Sequence, residues 1–402
     1  MEYTNRVIYL ADGDVATITK DSIEIKGNKS DVERKEHQIS WSIEDIQKAG
    51  YEHFMLKEIH EQPGVIRSTL GKHLLSTAPV VDSELAPDGR LEDISILACG
   101  TSYHAGLVGK WVIEEMLGIP VRVEFASEFN HSRRTLPSTM AIVLTQSGET
   151  ADVLIAMKKL REAAIRTLVI TNVPGSTASR VADLTVYTKA GPEVSVASTK
   201  SFIAQLITLY ELVLSCPGVN RAIYKHLITE LRQIPSEVQR VLSNGYQIEN
   251  SARYLSQFDK AFFIGRGINF PIALEGALKL KEIAYIYAKA YAAGELKHRP
   301  FALLQNDTPV IAIVPRDDTY QSMLTNIKEV KARNSPVIAL AEENDGAIEE
   351  FVDQVIRVPR VGNLFSPVVN AVTLQLLAYH TARYRECSID FPRNLAKSVT
   401  VE

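Results

Sequence analysis

The sequence predicts an α/β protein made of two tandem doubly wound parallel sheets, and three observations predict it. The first is an internal repeat: shifted by 167 residues, residues 94–131 lie on residues 261–298 without a gap. Gly100 then falls on Gly267, Leu107 on Leu274, Gly109 on Gly276, Glu115 on Glu282, Ala126 on Ala293, Glu128 on Glu295 and His131 on His298. The second is the shared pattern of each copy, in which short apolar runs alternate with helix-length amphipathic stretches, as parallel strands with crossover helices require. The third is size: 402 residues with 46% hydrophobic content suffice for two or three domains with sizeable cores.

The elements follow in order. In the first copy, residues 94–98 form a buried strand, a glycine turn leads to an amphipathic helix and a second strand, and Ala126-Ser127-Glu128-Phe129 opens a short helix. A third strand over 140–144, a helix over 151–164 and a fourth strand over 167–171 complete it. The second copy repeats the order, with strands over 261–265, 309–314 and 336–340, a helix over 271–285 and the small-residue start Ala293-Gly294-Glu295-Leu296. A long final helix over 367–385 precedes a tail. Boundaries are expected at 45–240 for the first domain, 241–385 for the second and 386–402 for the tail.

Composition narrows the partners. A net charge of -4 argues against a nucleic-acid surface or a membrane-hugging basic face, which leaves a small molecule. Cys99, Cys216 and Cys387, odd in number and far apart, make neither a disulfide framework nor a zinc pattern and suit a reducing cytoplasm. No apolar run reaches the length of a membrane span, and the first residues lack a signal-peptide layout. A cytoplasmic location is expected, with no metal and no cofactor.

The chemistry is concentrated in four places. Thr145-Gln146-Ser147-Gly148-Glu149-Thr150 joins a strand to a helix, where unpaired N–H groups, the helix dipole and hydroxyl side chains favour a phosphate. The same residues also suit a plain capped helix start. In the second copy the corresponding residues are Pro315-Arg316-Asp317-Asp318-Thr319, whose carboxylates would repel an anion, so the phosphate belongs to the first copy. Thr101 and Ser102 after the first strand, and Val196-Ala197-Ser198-Thr199-Lys200 before a later helix, would flank the same pocket. Glu275, Lys279 and Glu282 share one helix face at spacings of four and three, either as a surface ion-pair stripe or, given the apolar setting, as a proton carrier at a cleft. His298, in a loop, and Lys397, in a tail able to fold back over a pocket, complete the candidates for general acid or base and for amine nucleophile.

Together these motifs, with Cys99-Gly100-Thr101-Ser102, residues 274–282 and residues 392–402, resemble the isomerase half of the glutamine–fructose-6-phosphate aminotransferases, or glucosamine-6-phosphate synthases, over roughly residues 45–402. The resemblance implies two sugar isomerase (SIS) domains, a homodimer, and a pocket for fructose 6-phosphate that releases glucosamine 6-phosphate. It assigns the phosphate to Ser102, Thr145, Gln146, Ser147 and Thr150, and the sugar to Thr101, Val196 and Ser198. It also implies that Lys397 forms a Schiff base with the C2 ketone, that Glu282 moves a proton between C1 and C2 beside Lys279, and that His298 of the neighbouring subunit assists ring opening.

The chain departs from that pattern in three places. Thr145 stands where serine is common, and Arg299 where a glycine usually follows the histidine. The third is the absence of the N-terminal glutaminase domain, with its cysteine: residues 1–44 resemble only its closing strands, a short β remnant and linker. Ammonia is therefore expected from a missing or separate glutaminase. The alternatives are a stand-alone ammonia-dependent sugar-phosphate aminase or deaminase and a noncatalytic SIS sugar-phosphate sensor. The presence of Lys279, Glu282, His298 and Lys397 argues against the sensor.

Overall fold

The computed structural model describes residues 4, 6–11, 13–27, 34, 36–38, 47–71, 92–132, 140–216, 219 and 221–401. The chain divides into two compact units, Met1–Ala49 and Gly50–Glu402. In the first, strand β1 (Arg6–Ile8) pairs antiparallel with β4 (Glu36–Gln38), and β2 (Val15–Ile18) forms a hairpin with β3 (Ile23–Lys26). The Thr19 hydroxyl closes the hairpin turn by accepting the N–H of Ser22 at 2.9 Å. The Arg34 guanidinium holds both oxygens of Asp14, at 2.8 and 2.9 Å. These are the short strands expected of the N-terminal region.

The second unit opens with helix α1 (Phe54–Leu70) and continues through β5 (Ile94–Ala98), α2 (Gly100–Leu117), β6 (Val121–Phe125), α3 (Ala126–His131), β7 (Met140–Leu144), α4 (Ala151–Glu162), β8 (Arg166–Thr171), α5 (Thr177–Val181), β9 (Leu184–Tyr187) and α6 (Lys200–Leu214). Helices α7 (Arg221–Ser243) and α8 (Gly245–Leu255) lead to β10 (Lys260–Gly265), α9 (Phe270–Ala284), β11 (Tyr287–Ala292), β12 (Val310–Val314), α10 (Tyr320–Lys331), β13 (Val337–Glu342), β14 (Gln354–Val358) and α11 (Ser366–Tyr384). The strands form two five-stranded sheets, ordered β6-β5-β7-β8-β9 and β11-β10-β12-β13-β14, with every neighbouring pair parallel.

Two-residue alternation along the strands sends side chains into separate cores. Ile94, Ile96 and Ala98 of β5 and Met140, Ile142 and Leu144 of β7 enter one cluster, whereas Leu97, Ala141 and Val143 enter another against Val153, Ala156 and Leu160 of α4. The first cluster also contains Phe263, Ile311 and Leu340 of the second repeat, together with side chains of α1, α2, α6, α7, α8, α9 and α11. At roughly 1.5–3 kcal/mol for each large apolar side chain removed from water, this shared core makes the two repeats one body. Gly276, which the repeat pairs with Gly109, lies on α9 where a Cβ would come within 2.6 Å of Leu374 and 3.0 Å of Phe263.

The two sheets and most element positions agree with the sequence reading, and boundaries shift by a few residues. Ala293–Lys297 is a 3₁₀ turn, whereas Ala126–His131 in the first copy is α-helical. The edge strands β9 and β14 and the leading helices α1 and α7 add to the expected repeat. Each leading helix carries an internal proline, Pro63 and Pro235. Among the described residues, no helix is long and apolar enough to cross a membrane.

Candidate active site

β5 and β7 are paired neighbours whose chain connections leave in opposite directions across the sheet, so a crevice opens beyond their carboxyl ends. The loop 145–150 closes one side of it. Gly148 has φ +70°, and a Cβ there would collide with the Ser176 hydroxyl, so the tight turn requires glycine. The Thr145 hydroxyl accepts the Gly148 N–H at 3.2 Å and lies 3.4 Å from the Thr150 hydroxyl. Ser147 Oγ accepts the Glu149 N–H at 3.1 Å. Backbone bonds from Asn172 to Gln146 and from Ala178 to Gly148 stitch the loop to the chain after β8. Gln146, Ser147 and Thr150 remain half-exposed at the start of α4. Across the crevice, Thr101 and Ser102 occupy the first turn of α2, where Gln205 of α6 donates to the Ser102 hydroxyl at 2.9 Å.

The second repeat contributes α9, whose polar stripe is buried rather than a solvated ion-pair ladder. Lys279 is 1% exposed. Its Nζ lies 2.6 Å from Glu282 Oε2, 3.4 Å from Glu275 Oε1 and 3.2 Å from the Thr101 hydroxyl. Burial works to discharge this lysine, but the Glu282 and Glu275 carboxylates outweigh it and raise its proton affinity above the ordinary lysine range. Glu275 is itself anchored to the first repeat, accepting from Thr101 at 3.1 Å and pairing with His104 Nδ1 at 2.7 Å. The proton-transfer candidates of one repeat thus sit against the helix start of the other.

The terminal segment reaches the same crevice. Lys397 Nζ donates to Glu193 Oε2 at 2.5 Å and to the Ser195 carbonyl at 2.8 Å, and the Val399 carbonyl accepts the N–H of Ala151, the first residue of α4, at 3.0 Å. Glu193 is buried, a location that disfavours its charge. The Lys397 ammonium and the N–H groups of Thr199 and Ser201 overcome that and hold its carboxyl down at about 2. Glu193 is also close enough to add to the charge felt by Lys279, which links the two lysines electrostatically. Val196 and Ser198 line the loop between Glu193 and α6, with the Val196 N–H bonded to the Asp390 carbonyl at 3.0 Å. Lys200 is not a solvated helix residue: it is buried and pairs with Glu61 at 2.6 Å.

His298 stands apart. It is exposed at the end of the turn Ala293–Lys297, and no side-chain hydrogen bond or ion pair among the described residues joins it to Lys279, Glu282 or Lys397. The next residue, Arg299, has φ +94°, a conformation natural for glycine and strained for a side-chain-bearing residue. Sequence reasoning missed Glu58, His104, Glu193 and Asp390, all tied to the site by long-range contacts. The one local signal was a charged residue between apolar helix positions, as for Glu58 beside Ile59. Among the described residues no group of three His, Cys, Asp or Glu side chains converges to hold a metal ion.

Comparison with known proteins agrees with this architecture. The SIS domain profile matches residues 91–215 and 254–383. Over its whole length the chain is 47% identical to the glutamine–fructose-6-phosphate aminotransferase (isomerizing) of Methanosarcina mazei, covering 66% of that protein, and 41% identical to that of Pseudomonas aeruginosa, covering 67%. It therefore spans about two thirds of the length of these curated relatives. Among solved structures, the C-terminal domain of glucosamine-fructose-6-phosphate aminotransferase from Francisella tularensis superposes with a TM-score of 0.79 at 36% identity, covering 86% of this chain and all of that one. A glucosamine-6-phosphate deaminase from Thermotoga maritima, at 23% identity and TM-score 0.68 over 86% of this chain and 99% of its own, shares the fold.

Proposed function

Because the chain belongs to the glutamine–fructose-6-phosphate aminotransferase family, in the portion built of two SIS domains, we propose that it binds fructose 6-phosphate and carries the isomerising half of glucosamine 6-phosphate formation. One observation carries the reading: the Ala151 N–H at the phosphate-type loop donates to Val399, two residues from Lys397. The tail that bears an amine is thus tied to the loop suited to an anion.

In this reading Ser102, Thr145, Gln146, Ser147 and Thr150 hold the phosphate, and Thr101, Val196 and Ser198 face the sugar. The Lys397 amine adds to the C2 ketone and water leaves, giving an imine that makes the C1 protons more acidic. Ammonia displaces Lys397 at C2, and Glu282 takes a proton from C1 and returns it to C2 through an enolamine, leaving an aldose with an amine at C2. Lys279 offsets the charge of Glu282 while the proton is in transit. The partner molecules are fructose 6-phosphate, ammonia from a glutaminase, and a second copy of the chain that offers His298 for ring opening.

Without ammonia, the same proton transfer on the bound ketose gives glucose 6-phosphate. The test is to incubate purified chain with fructose 6-phosphate, alone and with an ammonium salt, and to assay glucose 6-phosphate and glucosamine 6-phosphate. Both products are expected, and neither above the level of a Glu282→Gln control would refute the reading.

A further inference from the structure

Glu58 lies on α1, outside both segments that match the SIS family, and is 2% exposed. Its Oε1 accepts the N–H of Val194 at 2.5 Å and of Ser195 at 3.2 Å, while its Oε2 has no hydrogen-bond partner among the described residues. The segment so held is the receptor for Lys397, because Glu193 and the Ser195 carbonyl grip its Nζ. The same helix also holds the beginning of the tail. The N–H groups of Phe54 and Met55, at its open N-terminus, donate to the Asp390 carboxylate at 3.0 and 2.9 Å, and the Asp390 carbonyl accepts from Val196. One helix thereby fixes both the loop that receives the lysine and the point from which the lysine-bearing segment departs.

We propose that Glu58 is a positioning residue for Lys397, pinning the loop whose Glu193 carboxylate and Ser195 carbonyl aim the amine. The role rests on the imine chemistry proposed above. The charged groups facing Glu58 are Glu193 from the loop after β9, Lys397 from the tail and Lys200 from α6, with Lys57 and Glu61 adjoining it on α1. Burial, and then the charge of Glu193, push the Glu58 carboxyl up to about 8. Below that pH the pair carries one charge, matched by Lys397. Above it a second negative charge appears, which favours the ammonium over the amine and removes the lone pair that attacks the ketone.

The experiment traps the imine. Full chain is mixed with fructose 6-phosphate and a borohydride reductant between about pH 7 and about pH 9, and the hexitol adduct on Lys397 is followed by peptide mass spectrometry. Glu58→Ala, which removes the acceptor, is expected to trap roughly tenfold more slowly while still binding the sugar phosphate by calorimetry. Glu58→Gln keeps an acceptor oxygen and removes the ionisation, and its rate relative to wild type is expected to rise about threefold from the lower pH to the higher. An E58A chain that binds and traps like wild type overturns the positioning role, and a flat E58Q ratio overturns the charge role. Should E58A fail to fold, Glu58→Met, which keeps the side-chain length and has no oxygen to accept from Val194 and Ser195, takes its place with the same slowing expected. A wild-type chain that binds fructose 6-phosphate but forms no adduct refutes instead the imine reading beneath both.

Discussion

Ala151 and Val399, 248 positions apart in sequence, are joined by a backbone hydrogen bond of 3.0 Å at the first turn of α4. The donor is an N–H that the helix itself cannot use. Ala151→Pro removes this bond alone, since proline is tolerated at a first helical position and Thr150 before it is already extended. Thermal unfolding of A151P is expected to change by no more than ~0.5 kcal/mol, while the tail becomes protease-sensitive and turnover of fructose 6-phosphate falls roughly tenfold. Limited proteolysis alongside the glucose 6-phosphate assay checks this.

Lys279 balances two carboxylates where almost no water reaches. Lys279→Met keeps the volume but takes from Glu275 and Glu282 the cation they share, and is expected to destabilise the chain by about 3–5 kcal/mol in urea titration. Adding Glu275→Gln to the same chain should restore a substantial part of that loss.

Arg299 offers a gain. Its φ of +94° costs a side-chain-bearing residue about 1–3 kcal/mol, and glycine removes that cost. Arg299→Gly is therefore expected to raise the unfolding midpoint, and Arg299→Ala to leave the strain in place. Equal midpoints for the two variants would count against the strain.

The buried carboxyl pair gives stability a distinctive pH dependence. Glu58 has its folded value raised from 4.5 to about 8, so the unfolded chain binds fewer protons in that window. Its contribution is complete below pH 4.5 and is lost as pH rises to about 8. Glu193, lowered from 4.5 to about 2, behaves oppositely and loses its contribution as pH falls through that range. Urea midpoints are expected to drop between about pH 5 and about pH 8.5, with a shallower drop in Glu58→Gln.

Gly148→Ala tests the loop. The added methyl meets the Ser176 hydroxyl and the backbone needs φ +70°. A loss of about 1–3 kcal/mol in stability is expected, with weaker fructose 6-phosphate binding by calorimetry.

The repeat and both sheets were legible because the strand and helix signals are local: continuous apolar runs such as Met140–Leu144 and Val310–Val314 state their own burial. The spacing of Glu275, Lys279 and Glu282 likewise stated a shared face, though not that Thr101 and His104 would cover it. Edge strands β9 and β14 were not legible, being short and mixed in polarity. Glu58, Glu193 and Asp390 were invisible for a stronger reason. Glu58 is 135 residues from Glu193, and Asp390 is 336 residues from the Phe54 N–H it accepts, so their meaning exists only after the chain has closed on itself.

The pairing of His104 with Glu275 carries an evolutionary consequence. A duplication ordinarily yields two interchangeable copies, so a lesion in one can be covered by the other. Here the first copy supplies Thr101 and His104 to a carboxylate and a lysine that stand only in the second, at 3.1, 2.7 and 3.2 Å. The copies carry different members of one cluster. Deleting either copy removes a contact that its sibling makes, and sequence drift in either is answerable to both.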